Sequence, residues 1–195
     1  MIEVPPPFRR AAPQDAQALA ELVNMAGEGL PLYLWSRMAE PGQDPWEVGR
    51  QRAQRESGSF SYRNAVVLES QGQVIGCLIG YPLPDEPEPI DYDTMPAMFI
   101  PLQELENLAR GWNVNVLAIY PEHRGRGYGT QLLSLAERIG SESGLAGLSI
   151  IVSDADVGAR RLYERCGCRQ VAERPMVKEE WENAGRSWVL LVKAL

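Results

Sequence analysis

The chain has 195 residues, 45% hydrophobic and 23% charged, which is the composition of a soluble globular protein with length enough for one ordinary domain and a sizeable core. Its formal net charge of -7 argues against sequence-independent binding of nucleic acid, which is held mainly by Lys and Arg. No apolar run is long enough to span a bilayer, so neither nucleic acid nor membrane is an expected partner.

The first residues, Met1-Ile2-Glu3-Val4-Pro5-Pro6-Pro7, have no basic start and no apolar stretch, so they do not read as a secretory signal. Phe8–Ala11 reads as a short strand. Pro13-Gln14-Asp15 then opens a helix whose apolar residues Ala16, Leu19, Ala20, Leu22 and Val23 recur at helical spacing. Further helical stretches are expected from Pro31 to Met38 and from Pro45 to about Glu56, separated by the breaker-rich Glu40–Pro45. Asn64–Ser70 and Gln73–Tyr81 read as a β-hairpin turning at Gln71-Gly72.

Pro82–Pro101 differs in kind. It holds six prolines together with Asp85, Glu86, Glu88, Asp91 and Asp93, a composition that predicts a long, stiff, acidic loop. Asn113–Ile119 reads as a strand and Thr130–Ser143 as a helix with Leu132, Leu133, Leu135, Ala136 and Ile139 on its buried stripe. A strand at Leu148–Val152, a helix at Val157–Arg165 ended by Gly167, and strands at Arg169–Arg174 and Ser187–Lys193 complete the chain. Strands and helices alternate in the middle and hairpin-like pieces flank them. That pattern predicts an α/β fold: a single domain over residues 1–195 with a mixed sheet and helices on both faces.

Cys77, Cys166 and Cys168 are odd in number, and two are too close for a disulfide framework, so a cytoplasmic setting with reduced thiols is expected. A single histidine, His123, and one Cys-Gly-Cys without a second cluster give no set of metal ligands, so no metal is expected. His123 itself reads as a solvated turn residue.

The stretch that carries chemistry is Leu117-Ala118-Ile119-Tyr120-Pro121-Glu122-His123-Arg124-Gly125-Arg126-Gly127-Tyr128-Gly129-Thr130, in which a strand enters a glycine-rich turn that opens a helix. The first N–H groups of a helix lack intrahelical partners and carry partial positive charge, so the turn is suited to an anion. Glycines at 125, 127 and 129 allow close approach of the backbone, and Arg124 and Arg126 add formal charge. No Gly-Lys-Ser/Thr follows as in a Walker loop, and the third glycine comes two residues after the second rather than the three of a dinucleotide fingerprint.

Arg124-Gly125-Arg126-Gly127-Tyr128-Gly129 resembles the (Gln/Arg)-x-x-Gly-x-(Gly/Ala) pattern of the GNAT family of N-acetyltransferases, and Leu117-Ala118-Ile119 is similar to that family's cofactor strand. Downstream, Asp156-Val157-Gly158-Ala159-Arg160-Arg161-Leu162-Tyr163-Glu164-Arg165-Cys166-Gly167-Cys168 resembles its Asn-x-x-Ala-x-x-Leu-Tyr-x-x-x-Gly-(Phe/Tyr) segment, and Arg9–Leu22 its first strand and helix. The resemblance implies the family's mostly antiparallel central sheet and transfer of an acetyl group from acetyl-CoA to a primary amine by direct attack in a ternary complex. It also implies that amides from Arg124 through Thr130 bind the pyrophosphate and that Leu117–Ile119 pairs with the pantetheine arm, the Leu117 N–H polarising the thioester carbonyl. Tyr163 would be the general acid that protonates the leaving thiolate.

Three positions depart from the family pattern. Asp156 stands where the family has Asn, exchanging a donor for a charge, and suits an N-cap. Cys168 replaces an aromatic. Asn113 stands where some members carry a glutamate, and asparagine cannot accept a proton. Asn113 and Asn115 share a strand face by alternation and are candidates to orient a water or the acceptor; Glu28 and Tyr62 are candidates on the acceptor side by analogy. The general base is left unassigned.

Clustered carboxylates at 82–101 would attract a cationic amine, although charge runs are more often solvated surface. Tyr33, Trp35, Trp46, Phe60 and Tyr62 belong either to an acceptor pocket or to core. The acceptor is a small molecule or a protein. The chain is a monomer or a homodimer, the latter formed through Trp188–Val192. A second reading is an acyl-CoA-binding sensor or interaction domain that keeps the fold without turnover.

Overall fold

Seven strands form one sheet in the computed structural model, which describes residues 4–195; Met1, Ile2 and Glu3, on which part of the leader reading rests, lie outside the described residues. The strands are β1 (Phe8–Arg10), β2 (Ala65–Ser70), β3 (Gln73–Pro82), β4 (Trp112–Ile119), β5 (Gly147–Ser153), β6 (Arg169–Pro175) and β7 (Ser187–Ala194). The helices are α1 (Ala16–Ala26), α2 (Leu30–Met38), α3 (Pro45–Ala53), α4 (Ile100–Leu108), α5 (Tyr128–Glu142) and α6 (Val157–Arg165). The spatial order is β1-β2-β3-β4-β5-β7-β6. β1–β2, β2–β3, β5–β7 and β6–β7 pair antiparallel, and β4–β5 pairs parallel, its crossover carrying α5. The fold is therefore mixed α/β with a mostly antiparallel sheet, as the alternation of elements predicts.

The chain divides into two compact units, Met1–Gly80 with Asn115–Leu132, and Tyr81–Val114 with Leu133–Leu195. In the first, Ala65, Val66, Val67 and Leu68 are buried in succession along β2, the pattern of a strand covered on both faces. Trp35 stacks on Phe60 at 6.0 Å and meets Trp46 edge-on at 5.9 Å, so these aromatic residues are core rather than pocket lining. Arg9 ties the entry of α1 to β1. Its guanidinium donates two hydrogen bonds to the buried Asp15, at 2.8 and 2.9 Å, and one to Glu69 at 2.7 Å.

In the second unit α4 lies against β5, β6 and β7. This helix was not expected: the predicted loop ends at Pro101, inside its first turn, and residues 102–112 carried no assignment. Proline density hides a buried stripe of Met98, Pro101 and Leu105, and Pro101 is tolerated in the first helical turn, where its missing N–H would have no partner anyway. The loop before it is pinned to α4: the Asn107 amide accepts from the Glu88 N–H at 3.0 Å and donates to the Glu88 carbonyl at 2.8 Å. Arg174 of β6 donates to Glu104 of α4 at 2.6 Å. β7, proposed above as a dimer strand, is paired on both sides by β5 and β6 and so has no edge to offer a second copy.

Candidate active site

β4 ends at Ile119, and a tight turn at Pro121–His123 leads through Arg124–Gly127 into α5, which begins two residues earlier than expected. Gly125 (φ +74°) and Gly127 (φ +81°) are left-handed, and a Cβ added to either would meet no atom within 4 Å. Side chains disfavour that backbone by about 1–2 kcal/mol, which is why glycine stands there. The amides of His123 and Arg124 are used within the turn, donating to Tyr120 and Pro121 carbonyls, and the Gln131 amide donates to the Gly127 carbonyl. The six between, from Gly125 to Thr130, donate to no acceptor among the described residues. Free N–H groups at the start of a 15-residue helix are a donor set suited to an anion.

Both arginines fold back as braces. Arg124 Nε donates to the Ile119 carbonyl at 3.0 Å, with Nη2 3.2 Å from Met25 sulfur, and Arg126 donates to the Glu122 carbonyl at 3.3 Å. The Tyr120 hydroxyl donates to Glu21 of α1 at 2.5 Å, fixing the chain where it leaves β4. Of the strand residues Leu117, Ala118 and Ile119, the last two are buried and Leu117 is half-buried. The Tyr120 N–H donates to the Ile75 carbonyl at 3.0 Å, and a Cβ on Gly76 of β3 would stand 2.8 Å from the Ala118 carbonyl oxygen.

In the second unit Tyr163 is buried on α6, and its hydroxyl donates to no acceptor among the described residues. Burial, with Asp156 and Cys168 nearby, pushes the phenol well above its ordinary value, so it holds its proton. Asp156 caps the helix: its Oδ1 accepts from the Ala159 N–H at 2.9 Å. That carboxylate oxygen is occupied by backbone, which accounts for Asp at this position without any contact to a cofactor.

Asn113 and Asn115 have different surroundings despite their shared alternation, Asn113 being buried and Asn115 exposed. Asn113 Nδ2 donates to Glu106 Oε1 at 3.2 Å, and its Oδ1 accepts from the Ser149 hydroxyl at 3.3 Å. The Tyr81 hydroxyl donates to the same Glu106 oxygen at 2.9 Å. Burial raises the Glu106 carboxyl, and the nearby Glu88 charge adds to this; the bonds from Tyr81 and Asn113 oppose it, and the balance is upward. Glu106 lies on a helix that the sequence reading left unassigned beyond Pro101, so no reading of the sequence selected it. Its signal was the spacing of Met98, Pro101 and Leu105, which fixes a helix and hence the face of Glu106. Tyr62 is buried, its hydroxyl donating to Glu56 at 2.6 Å, and its ring lies under Arg63. Glu28 occupies a left-handed turn (φ +52°) between α1 and α2.

Residues 31–168 match the acetyltransferase (GNAT) family. The match takes in α2, α3 and the acidic loop, which the motif resemblance leaves out, and it omits Arg9–Leu22. No curated protein matches in sequence. Among solved structures, an acetyltransferase is similar with TM-score 0.65 and 20% identity, over 96% of this chain and 98% of that one. An N-acetyltransferase from Staphylococcus aureus Mu50 is similar with TM-score 0.62 and 18% identity, over 95% and 99%. A GNAT family acetyltransferase from Elizabethkingia anophelis with acetyl-CoA bound gives TM-score 0.50 and 19% identity, over 67% and 75%.

Proposed function

Because this chain belongs to the GNAT acetyltransferase family, and is therefore an acyltransferase, we propose that it transfers the acetyl group of acetyl-CoA to the nitrogen of a primary amine by direct attack in a ternary complex. The observation that carries this reading is the cradle: six amides from Gly125 to Thr130, unpaired among the described residues, at a helix N-terminus, with left-handed glycines that leave room beside them. A pyrophosphate offers many acceptor oxygens and a double negative charge, which matches that donor set. The structure of the Elizabethkingia protein with acetyl-CoA bound supports the same donor.

Acetyl-CoA supplies an activated thioester. The Leu117 N–H on β4 is assigned to the thioester carbonyl, where a fixed donor stabilises the developing oxyanion. Tyr163, which holds its proton firmly, donates it to the departing thiolate as the carbon–sulfur bond breaks. An acceptor that arrives as R-NH₃⁺ loses two protons overall: one frees the electron pair of the new carbon–nitrogen bond and goes to solvent, and the other is matched by the thiol. Residues 1–195 act together as one catalytic domain in this account.

The test combines calorimetry with acetyl-CoA and CoA release across primary amines. Binding and turnover are expected, with Tyr163→Phe binding acetyl-CoA normally and turning over 10²–10⁴-fold more slowly, the usual worth of a general acid. Binding without turnover on any amine, unchanged in Tyr163→Phe, would establish the sensor reading instead.

A further inference from the structure

The strand that carries Leu117 has no basic atom of its own on the acceptor side, since asparagine occupies both 113 and 115. A carboxylate is nevertheless built against that strand. Glu106 of α4 is half-buried, and two side chains from two different strands, Tyr81 of β3 and Asn113 of β4, aim their donors at the same oxygen, Oε1. Asn113 is in turn fixed by the Ser149 hydroxyl of β5. Oε2 makes no hydrogen bond among the described residues. A carboxylate whose one oxygen is locked by two neutral donors and whose other oxygen is unbonded has a fixed direction in which to accept a proton.

We propose that Glu106 is the general base of this enzyme, its Oε2 taking a proton from the ammonium form of a cationic acceptor, with Tyr81 and Asn113 as positioning residues. The proposal rests on the transferase reading given above. An R-NH₃⁺ acceptor gives one proton to Glu106, the freed nitrogen lone pair forms the bond to the thioester carbon, and the carbon–sulfur bond breaks. The second proton leaves the nitrogen as the amide forms and replaces the one Tyr163 gives to the thiolate, so the sum is one thiol, one amide and one proton delivered through Glu106 to solvent. Glu88, close enough to act on Glu106 through its charge, adds attraction for a cation, and it belongs to the acidic stretch before α4. Of the cations on the strands that pack against α4, Arg174 of β6 is paired with Glu104, Lys193 of β7 is paired with Glu137, and Arg169 of β6 is exposed.

The surroundings of Glu106 make its titration movable in opposite directions. Burial and Glu88 hold its carboxyl up, while the bonds from Tyr81 and Asn113 hold it down. In the base role Glu106 must be ionised, so kcat/KM falls as pH drops through its pKa. Tyr81→Phe removes a bond to the charged form and moves that acidic limb to higher pH; Glu88→Gln removes a repulsion and moves it to lower pH.

The experiment measures kcat, KM and their pH profiles for wild type, Glu106→Gln, Tyr81→Phe and Glu88→Gln, with an arylalkylamine, a polyamine and a lysine peptide as probes. Acetyl-CoA affinity is measured in parallel. Glu106→Gln is expected to bind acetyl-CoA as wild type does, to lose 10²–10⁴-fold in kcat and to lose the acidic limb, the effect of removing a general base. Opposite displacements of the limb in Tyr81→Phe and Glu88→Gln support the role, and Glu88, being exposed, can be changed without risk to folding. Turnover by wild type with an unaltered profile in Glu106→Gln overturns this proposal and leaves the transferase reading standing. Failure of wild type to bind acetyl-CoA, or to acetylate any of the three probes, overturns both.

Discussion

Replacing Gly127 by alanine separates two costs that the structure assigns to one residue. Gly127 sits at φ +81°, exposed, with no atom within 4 Å of an added Cβ, so nothing in the protein opposes the methyl sterically. The backbone cost is that of a side chain in the left-handed region, about 1–2 kcal/mol. At the usual ~2–4 °C per kcal/mol for a chain of this size, the melting temperature falls by about 2–8 °C. The binding cost is separate, because the methyl stands beside unpaired amides. Loss of one hydrogen bond to a charged oxygen is worth about 1.5–3 kcal/mol, or roughly 10- to 150-fold in Kd for acetyl-CoA. Gly144 is the matched control: it is also left-handed (φ +73°), exposed and unobstructed, but follows the C-terminal end of α5. Gly144→Ala is expected to lose similar stability and to bind acetyl-CoA as wild type does. Calorimetric titration and thermal melts of the two variants give both quantities. Equal acetyl-CoA affinity in Gly127→Ala and Gly144→Ala would refute the cradle while leaving the strain argument intact.

Gly49→Ala puts a Cβ 2.5 Å from the Trp35 ring, which is stacked on Phe60 and cannot yield cheaply, so a loss of about 1–3 kcal/mol is expected in urea unfolding. Unchanged stability would show that the aromatic core is looser than its geometry. Burial works to raise the Asp15 carboxyl, but Arg9 and the Ala12 N–H outweigh it and hold it below the ordinary value. A depressed folded pKa contributes stability above the unfolded value near ~4 and loses it as pH falls through the folded one. Asp15→Asn is therefore expected to cost about 1–2 kcal/mol at neutral pH, discounted for the partly exposed Arg9, with the gap closing on acidification; a pH-independent gap would contradict this. Burial pushes the Cys77 thiol up to about 12 and the Cys168 thiol to about 11, leaving half-buried Cys166 as the thiol that reacts in the native state. Ellman's reagent is expected to titrate one thiol in the folded protein and three after unfolding, and rapid reaction of all three before unfolding would count against it.

How much of this was legible depended on whether local pattern or tertiary packing decided each element. The strand-to-helix turn at 117–130 was readable because glycine spacing and backbone chemistry are local, and the left-handed Gly125 and Gly127 are what such a turn needs. The helix at 157–165 was readable for the same reason, its cap and its terminal glycine both lying within the motif. α4 was not readable, because prolines at 82, 84, 87, 89, 96 and 101 suggested continuous loop, whereas the last of them starts a helix. With α4 went Glu106, whose interest depends on Tyr81 and Asn113 meeting it from other strands. Tyr62 shows the converse: its position suggested an acceptor contact, but a bond to Glu56 six residues earlier takes its hydroxyl. The arginines at 124 and 126 were read by charge alone, while the acceptors they reach are the carbonyls of Ile119, at the end of β4, and of Glu122, in the turn.

The central claim is that amides 125–130 hold the pyrophosphate of acetyl-CoA. A titration of ¹⁵N-labelled protein with acetyl-CoA, followed by amide chemical shifts, tests it directly. The amide resonances of Gly125, Arg126, Gly127, Tyr128, Gly129 and Thr130 are expected to move together and saturate at one Kd, with 3′,5′-ADP, which lacks the pyrophosphate, leaving them largely in place. Saturable binding of acetyl-CoA with those six amides unmoved, or no binding at all, would contradict it.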